Sequence, residues 1–342
     1  MKAAIIEKLN APLIVDEIDV PCLDYGQALV HVHRSGICGA QLGEIAGVKG
    51  EDKHLPHLLG HEGGGIVIDI GPGVTHIRKG DHVVMHWRKG VGIQSNPPRY
   101  SRGGGIVTAG WVTTFNECAV VSENRLTPIA KDIPFEIAAL MGCAVTTALG
   151  VVNNDARLKI GQSIAVFGCG GVGLNVVQGA AMVSANPIIA IDRYDHKLSM
   201  ASEFGATHFI NTSRADTCEE LRKIVGTKGV DAFVETTGQV RLIEQAYDLT
   251  ATGGRTILVG QARHDQVISI QSLPMHAGKV LMGSDGGQTN PTEEIPRYLD
   301  LYRKGKLKLD KLITHRFPLN DINPALDKLR NGEANRCILT MT

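Results

Sequence analysis

The chain has 342 residues, and its 35 lysines and arginines are matched by 35 aspartates and glutamates. That balance excludes the long-range field that draws a protein to nucleic acid or an anionic membrane, which leaves a small molecule as the expected partner. Seven cysteines, an odd number without a repeating framework, argue against a disulfide scaffold and for a reducing, cytoplasmic setting.

The length is more than one ordinary core accommodates, so two domains are expected. The N-terminal stretch MKAAIIEKLNAPLIVDEI scatters charges among its apolar residues and lacks the unbroken apolar core of a secretory signal. The uncharged, strongly apolar stretch Ile137 to Val152 falls short of the roughly 20 residues that span a bilayer.

In chain order, the first 130 or so residues give short β-type runs broken by turns: Ala28 to His33, Gly65 to Ile70, His82 to Met85 and Cys118 to Val121. Between Arg88 and Gly110 a basic, glycine-rich stretch with Pro97 and Pro98 reads as a surface loop or lobe. From Gln162 the texture changes to apolar strands alternating with helical segments: Ser163 to Phe167, Pro187 to Ile191, Ala232 to Glu235 and Arg255 to Val259. This alternation predicts a parallel sheet covered by helices on both faces. A helix over Glu293 to Arg303, a strand at His315 to Phe317 and a final strand over Cys337 to Met341 follow.

The segment SIAVFGCGGVGLNVVQGAAMV places Gly168, Gly170 and Gly173 in a GxGxxG pattern between an apolar strand and a helix. A tight turn, a close approach of backbone to pyrophosphate and close helix packing each require a residue without a side chain, and the helix N-terminus favours the negative charge. Asp192 ends the next strand, about 20 residues further on, where a carboxylate accepts ribose hydroxyls and repels an additional 2′-phosphate. NAD is therefore expected over NADP, although the adjoining Arg193 is a residue type that pairs with phosphate.

Three segments carry candidate zinc ligands: SGICGAQ with Cys38, LLGHEGGG with His61 and Glu62, and MGCAVTTA with Cys143. Two thiolates and one imidazole would leave an open fourth position for a substrate oxygen. Spacing alone leaves the alternatives of a buried small hydrophobe for each cysteine and a loop residue for the histidine.

The words GICG, GHEGGGIVIDIGPGV, KGDHVV, LMGCAVTTALGVV and VFGCGGVG occur in this order, and together they resemble the zinc-containing alcohol dehydrogenases of the medium-chain dehydrogenase/reductase superfamily. The resemblance continues through IDRYDHKLSMASEFGATHFIN, GVDAFVETTG, ILVGQ and LKLDKLITHRFPLNDINPALDKLRNGEANRCILTM. It implies an α/β protein: a GroES-like β-rich catalytic domain over residues 1–144 and 284–342, and a Rossmann NAD-binding domain, a doubly wound parallel sheet, over 145–283. The implied activity is interconversion of an alcohol and an aldehyde or ketone by hydride transfer.

The resemblance further implies catalytic zinc on Cys38, His61 and Cys143, the Cys₂His set documented for alcohol dehydrogenase, with Glu62 as a supporting or transient ligand. NAD would be held by Gly168, Cys169, Gly170, Gly171, Val172 and Gly173, with Asp192, Arg193 and Lys197 at the adenosine end. Thr147, Val259, Gly260 and Gln261 would lie beside nicotinamide, and Arg336 would contact pyrophosphate. Relatives form homodimers or homotetramers.

Three departures stand out. Many relatives carry a structural zinc on four cysteines after KGDHVV, where this chain has only Cys118, so one catalytic zinc is expected. Ala40 stands where a Ser or Thr usually passes the alcohol proton, and Gly43 where a histidine often ends that path. Gln41 replaces an Asp that supports the ligand histidine. A water chain, Thr146, His54, His57 or His86 are the candidates for a replacement path, but none is identifiable from sequence and each residue reads first as an ordinary loop or surface residue.

Trp87 and Trp111 are candidate walls of the substrate pocket. Arg88, Lys89, Arg99 and Arg102 could meet a substrate phosphate or carboxylate, or could form a solvated face. Two alternatives remain open: a polyol, sugar or sugar-phosphate dehydrogenase, and an NAD-binding protein with weak or no catalysis.

Overall fold

The computed structural model describes residues 1–341. Two compact units divide the chain: Met1–Thr146 with Asn290–Thr342, and Thr147–Thr289. The sequence reading cuts at 144/145 and 283/284.

The first unit is organised on one long strand, Gln27–Ile37, whose Ala28, Val30 and Val32 are fully buried at every second position. It pairs antiparallel with Glu62–Ile70, with Cys118–Ser122 and with the C-terminal strand Arg336–Thr340. The sheet runs Leu126–Ile129, His82–His86, Glu62–Ile70, Gln27–Ile37, Arg336–Thr340, Ile313–Pro318. Both ends of the chain therefore build a single sheet. Val67, Met85, Val121 and Leu339 from its strands pack with Ile322, Ala325 and Leu326 of the helix Ile322–Arg330 into one core.

A second sheet runs Ile14–Glu17, Lys2–Ile6, His57–Leu58, Gly105–Thr108, Arg99–Arg102. Its last two strands fall inside Arg88 to Gly110, the stretch read as a surface loop or lobe, and give that lobe a strand pair. They pair as a hairpin closed by Gly103 and Gly104, both at positive φ (55° and 82°), which is what a two-residue turn between twisted strands demands. Tyr100 is buried from this hairpin, and its hydroxyl accepts the Val120 N–H at 2.8 Å.

The rest of that lobe is tied down by one carboxylate. Glu123 is buried, its Oε1 accepting the N–H groups of Thr75 (2.7 Å) and His76 (2.6 Å) and its Oε2 that of Ile93 (2.8 Å). Backbone donors converging on a charged acceptor form strong bonds that become costly when the acceptor is removed.

The second unit holds a six-stranded, all-parallel sheet in the order His208–Asn211, Ile188–Asp192, Ile164–Phe167, Val230–Glu235, Thr250–Leu258, Val280–Gly283. Numbered along the chain this is 3-2-1-4-5-6, the doubly wound arrangement that binds dinucleotides where the strand order reverses. The central strand Ile164–Phe167 is buried at every position, as a strand covered on both faces must be. Among the described residues no single helix is long and apolar enough to cross a membrane.

Removing the Glu123 carboxylate should therefore loosen the first unit. Glu123→Ala is expected to cost about 3 kcal/mol, with Glu123→Gln costing less because one acceptor oxygen remains. Urea unfolding followed by tryptophan fluorescence checks this, because both tryptophans, Trp87 and Trp111, lie in that unit.

Candidate functional site

Cys38 follows the long strand and caps the helix Gly39–Ile45, His61 precedes the strand Glu62–Ile70, and Cys143 joins two short helices, Phe135–Met141 and Ala144–Gly150. Pairing of the two strands brings these segments together. The ligand atoms of Cys38, His61 and Cys143 lie within 4.8 Å of one another, and the two sulfurs are 4.0 Å apart. Two thiolates on one tetrahedral zinc would be about 3.8 Å apart, given Zn–S bonds of about 2.3 Å. His61 Nε2 is buried without a hydrogen-bond partner, an orphaned donor or lone pair that a metal would satisfy. The three side chains fit the ion.

The electrostatics agree with a cation site. Cys143 donates to Cys38, which together with His61 and Arg336 holds the Cys38 thiol low, while the Cys38 thiolate and burial push Cys143 up. Burial opposes a charge on His61, but the neighbouring Cys38 outweighs it and raises the imidazole. Two buried sulfurs cannot both ionise without a positive partner.

Behind the ligands sits a buried ion pair. Arg336 Nη1 lies 3.0 Å from Glu62 Oε1, its Nη2 donates to Glu62 Oε2 at 3.1 Å, and its Nη1 also donates to the carbonyl of Ile37 at 2.8 Å. Burial pushes Glu62 up to about 7 against the pull of Arg336. Space for the carboxylate comes from two glycines of the ligand motifs: a Cβ on Gly36 would meet Glu62 Oε1 at 2.6 Å, and one on Gly142 would meet Glu62 Cβ at 2.8 Å. The expectation for Arg336 is a pyrophosphate contact; the structure gives its guanidinium Glu62 and the Ile37 carbonyl instead.

In the second unit each glycine of the GxGxxG pattern has its own reason. Gly168 has φ +88°, and a Cβ on Gly173 would lie 1.8 Å from the Gly168 carbonyl oxygen, so neither tolerates a side chain. A Cβ on Gly170 would meet nothing within 4 Å, and no side chain caps the helix Gly171–Met182 that starts there. Uncapped helix N-termini such as this one favour anions. Asp192 is fixed beside it, accepting the Cys169 N–H at 2.8 Å and the Tyr194 N–H at 3.0 Å.

Around this loop, the Arg193 guanidinium and Lys197 ammonium lie 4.7 Å and 5.2 Å from the centre of the Tyr194 ring. The Val259 and Gly260 N–H groups both bond the Glu235 carbonyl, which sets the course of that segment, and Gln261 beyond them is exposed. Thr147 is buried with its hydroxyl unpartnered.

Two family models match the chain: "Alcohol dehydrogenase GroES-like domain" over residues 24–131 and "Zinc-binding dehydrogenase" over 171–304. The S-(hydroxymethyl)glutathione dehydrogenase of Paracoccus denitrificans is 31% identical across 99% of both chains, and a class-3 alcohol dehydrogenase of Cereibacter sphaeroides is 30% identical over the same shares. The chain belongs to the zinc-containing alcohol dehydrogenase family. In structure it is similar to the benzyl alcohol dehydrogenase of Acinetobacter calcoaceticus, with a TM-score of 0.89 at 25% identity, covering 100% of this chain and 99% of that one. The first unit is thus GroES-like and the second Rossmann-type, and the chain is an oxidoreductase interconverting alcohol and carbonyl.

Against that family background, the candidates for a proton path separate. The Thr146 hydroxyl donates back to the carbonyls of Met141 and Cys143, at 3.1 Å each. His86 is buried between the Arg88 carbonyl (2.8 Å) and the Thr127 hydroxyl (2.9 Å), and burial lowers it to about 4. It stays neutral at the pH at which a relay would have to exchange protons. His57 lies between Asp52 (2.8 Å) and the Leu58 carbonyl (2.9 Å).

His57 and His54 line a cavity of about 600 Å³ that also touches Gln41, His61 and Trp111. Trp87 does not line it: it is partly buried and packs against the core of the first unit. Trp111 remains as a wall, its indole N–H bonded to the Ser95 carbonyl at 3.0 Å. Arg102 is committed to Glu7 and Asp16, which leaves it with no substrate anion to meet. Neither Arg336 facing Glu62 nor Asp52 facing His57 had a sequence signal, since nothing local announces either partner.

The ion pair at the back of the site yields a direct test. Arg336→Met should destabilise the first unit by about 3 kcal/mol by leaving a buried carboxylate unpaired, and the double variant with Glu62→Gln should regain most of that loss. Urea unfolding of the single and double variants measures both.

Proposed function

We propose that this enzyme is an NAD-dependent alcohol dehydrogenase with one zinc per subunit, held by Cys38, His61 and Cys143. The observation that carries the reading is the convergence of these three ligand atoms next to a cavity that His61 also lines. When bound, zinc lowers the pKa of the alcohol and NAD accepts the hydride.

The chain's own residues do the rest. Cys38 and Cys143 bring negative charge to the metal position. Glu62, backed by Arg336, forms the rear wall and is the candidate transient ligand. Gly168, Gly170 and Gly173 clear room for pyrophosphate at the helix N-terminus, together with the backbone of Cys169, Gly171 and Val172. Asp192 faces the ribose hydroxyls, flanked by Arg193 and Lys197, while Thr147, Val259, Gly260 and Gln261 attend the nicotinamide.

The cavity is within the range for ligand-sized molecules and far larger than ethanol needs. This supports a primary alcohol with a bulky substituent, in line with the names of the hydroxymethylglutathione and benzyl alcohol enzymes. A polyol is the second reading, favoured by the polar rim of Glu44, Lys49, Glu51, Asp52 and Lys53. We further propose a homodimer or homotetramer, supported by the open edge strand Val280–Gly283 and the exposed Val267 and Leu273 of the same unit; sedimentation velocity that finds only monomer would remove this proposal.

Elemental analysis of the purified enzyme should find one zinc per chain, and Cys38→Ala should lose both zinc and NAD reduction. Full turnover in the metal-free variant would end the reading. Across aryl alcohols, hydroxymethylglutathione and sugar alcohols, the first two should be preferred. The wild type should favour NAD over NADP, with Asp192→Ala shrinking that preference by tenfold or more, on the order of 1.4 kcal/mol.

A further inference from the structure

We propose that Gln41 is a positioning residue whose single amide couples metal binding at His61 to the cap of the helix Gly39–Ile45, so that the two cannot be satisfied together. The proposal rests on reading Cys38, His61 and Cys143 as the zinc site.

The geometry fixes the amide without ambiguity. The Cys38 backbone N–H can only donate, and it points at a Gln41 side-chain atom 3.0 Å away, which must be the oxygen Oε1. The amide nitrogen of Gln41 then faces His61 Nδ1. Two donors cannot share one hydrogen bond, so Nδ1 acts as acceptor and the imidazole proton sits on Nε2. That is the buried nitrogen with no other partner, the one left for a metal.

Metal coordination takes the Nε2 lone pair and moves the proton to Nδ1, where it needs an acceptor. With the side chain held where it is, Oε1 at Cys38 N–H and the amide nitrogen at His61, Gln41 presents Oε1 to Nδ1 by turning its amide over, which sets its NH₂ against the Cys38 N–H and ends the cap. Gln41 is 0% exposed, so no bulk water makes up the loss. A carboxylate at this position would have two acceptor oxygens, one for Cys38 N–H and one for His61 Nδ1–H, and would meet no such conflict. The helix concerned carries Gln41 and Glu44 into the cavity wall, so metal loading loosens the wall that a substrate meets.

The test compares the full-length wild type with Gln41→Glu, each metal-free and zinc-loaded. Long-range ¹H–¹⁵N correlation of labelled histidines, with His61→Asn for assignment, should place the His61 proton on Nε2 in the metal-free wild type and on Nδ1 after loading. In metal-free Gln41→Glu it should already be on Nδ1. Hydrogen exchange of the Cys38 amide should speed up on loading in the wild type and stay slow in Gln41→Glu. Competition with a chromophoric chelator should show zinc bound at least about tenfold more tightly by Gln41→Glu; the proton position and Cys38 exchange separate this from the effect of added charge.

A His61 proton on Nδ1 in the metal-free wild type, Cys38 exchange unchanged by zinc, or equal zinc affinity in the two proteins would each overturn the proposal while leaving the zinc site standing. Zinc retained at full stoichiometry by Cys38→Ser, or no zinc bound at all, would overturn the zinc reading and this inference with it.

Discussion

The first unit depends on the pairing of its C-terminal strand with its longest N-terminal one. Arg336–Thr340 lies antiparallel to Gln27–Ile37, Cys337 opposite Ile37, so the arginine that begins the last strand reaches the place where the first cysteine ligand begins its helix. There it meets Glu62, 274 residues away in sequence. A buried charge pair of this kind is weak evidence for stability, because its desolvation offsets much of its attraction. What it contributes is order: with Arg336 present the Glu62 carboxyl has one fixed place in the site, and the ligand segments have one register in which it is not left unpaired.

The glycines around both sites follow from crowding. Gly36 and Gly142 make room for Glu62, and Gly173 lets its helix close onto the Gly168 carbonyl. Gly170 is different, since its Cβ would point into open space. Its smallness is not required by any neighbour in the protein, and the uncapped helix start beside it is the feature on which the proposed pyrophosphate site rests.

What the sequence made legible was local. Cys38, His61 and Cys143 each stand in a short motif with a turn and a strand or helix at fixed offset, and Gly168 to Gly173 follow an apolar strand directly, so chemistry and position could be read together. The doubly wound sheet was equally legible from alternating apolar runs. What stayed hidden was non-local or masked by composition. The hairpin Arg99–Arg102 and Gly105–Thr108 sits in a stretch whose glycines and prolines suggest a loop, and only the positive φ of Gly103 and Gly104 shows those glycines to be its turn. Trp87 and Trp111 look alike in sequence, but one packs on the core and the other lines the cavity. Arg336 reads as a cation for phosphate until its partner is known, and the partner depends on strand register.

Ala40, Gln41 and Gly43 change three consecutive functions of one short helix. A hydroxyl at residue 40 and an imidazole at 43 would carry a proton outward, and a carboxylate at 41 would stabilise positive charge on the ligand imidazole. With a methyl, an amide and a hydrogen in their places, these three positions offer no hydroxyl, carboxylate or imidazole, and Gln41 is bonded to both Cys38 and His61. Thr146 and His86 do not fill the gap, the one bonded to its own backbone and the other held neutral by burial. Among the histidines considered for that path, His54 and His57 line the cavity that His61 also lines, with Asp52 beside them.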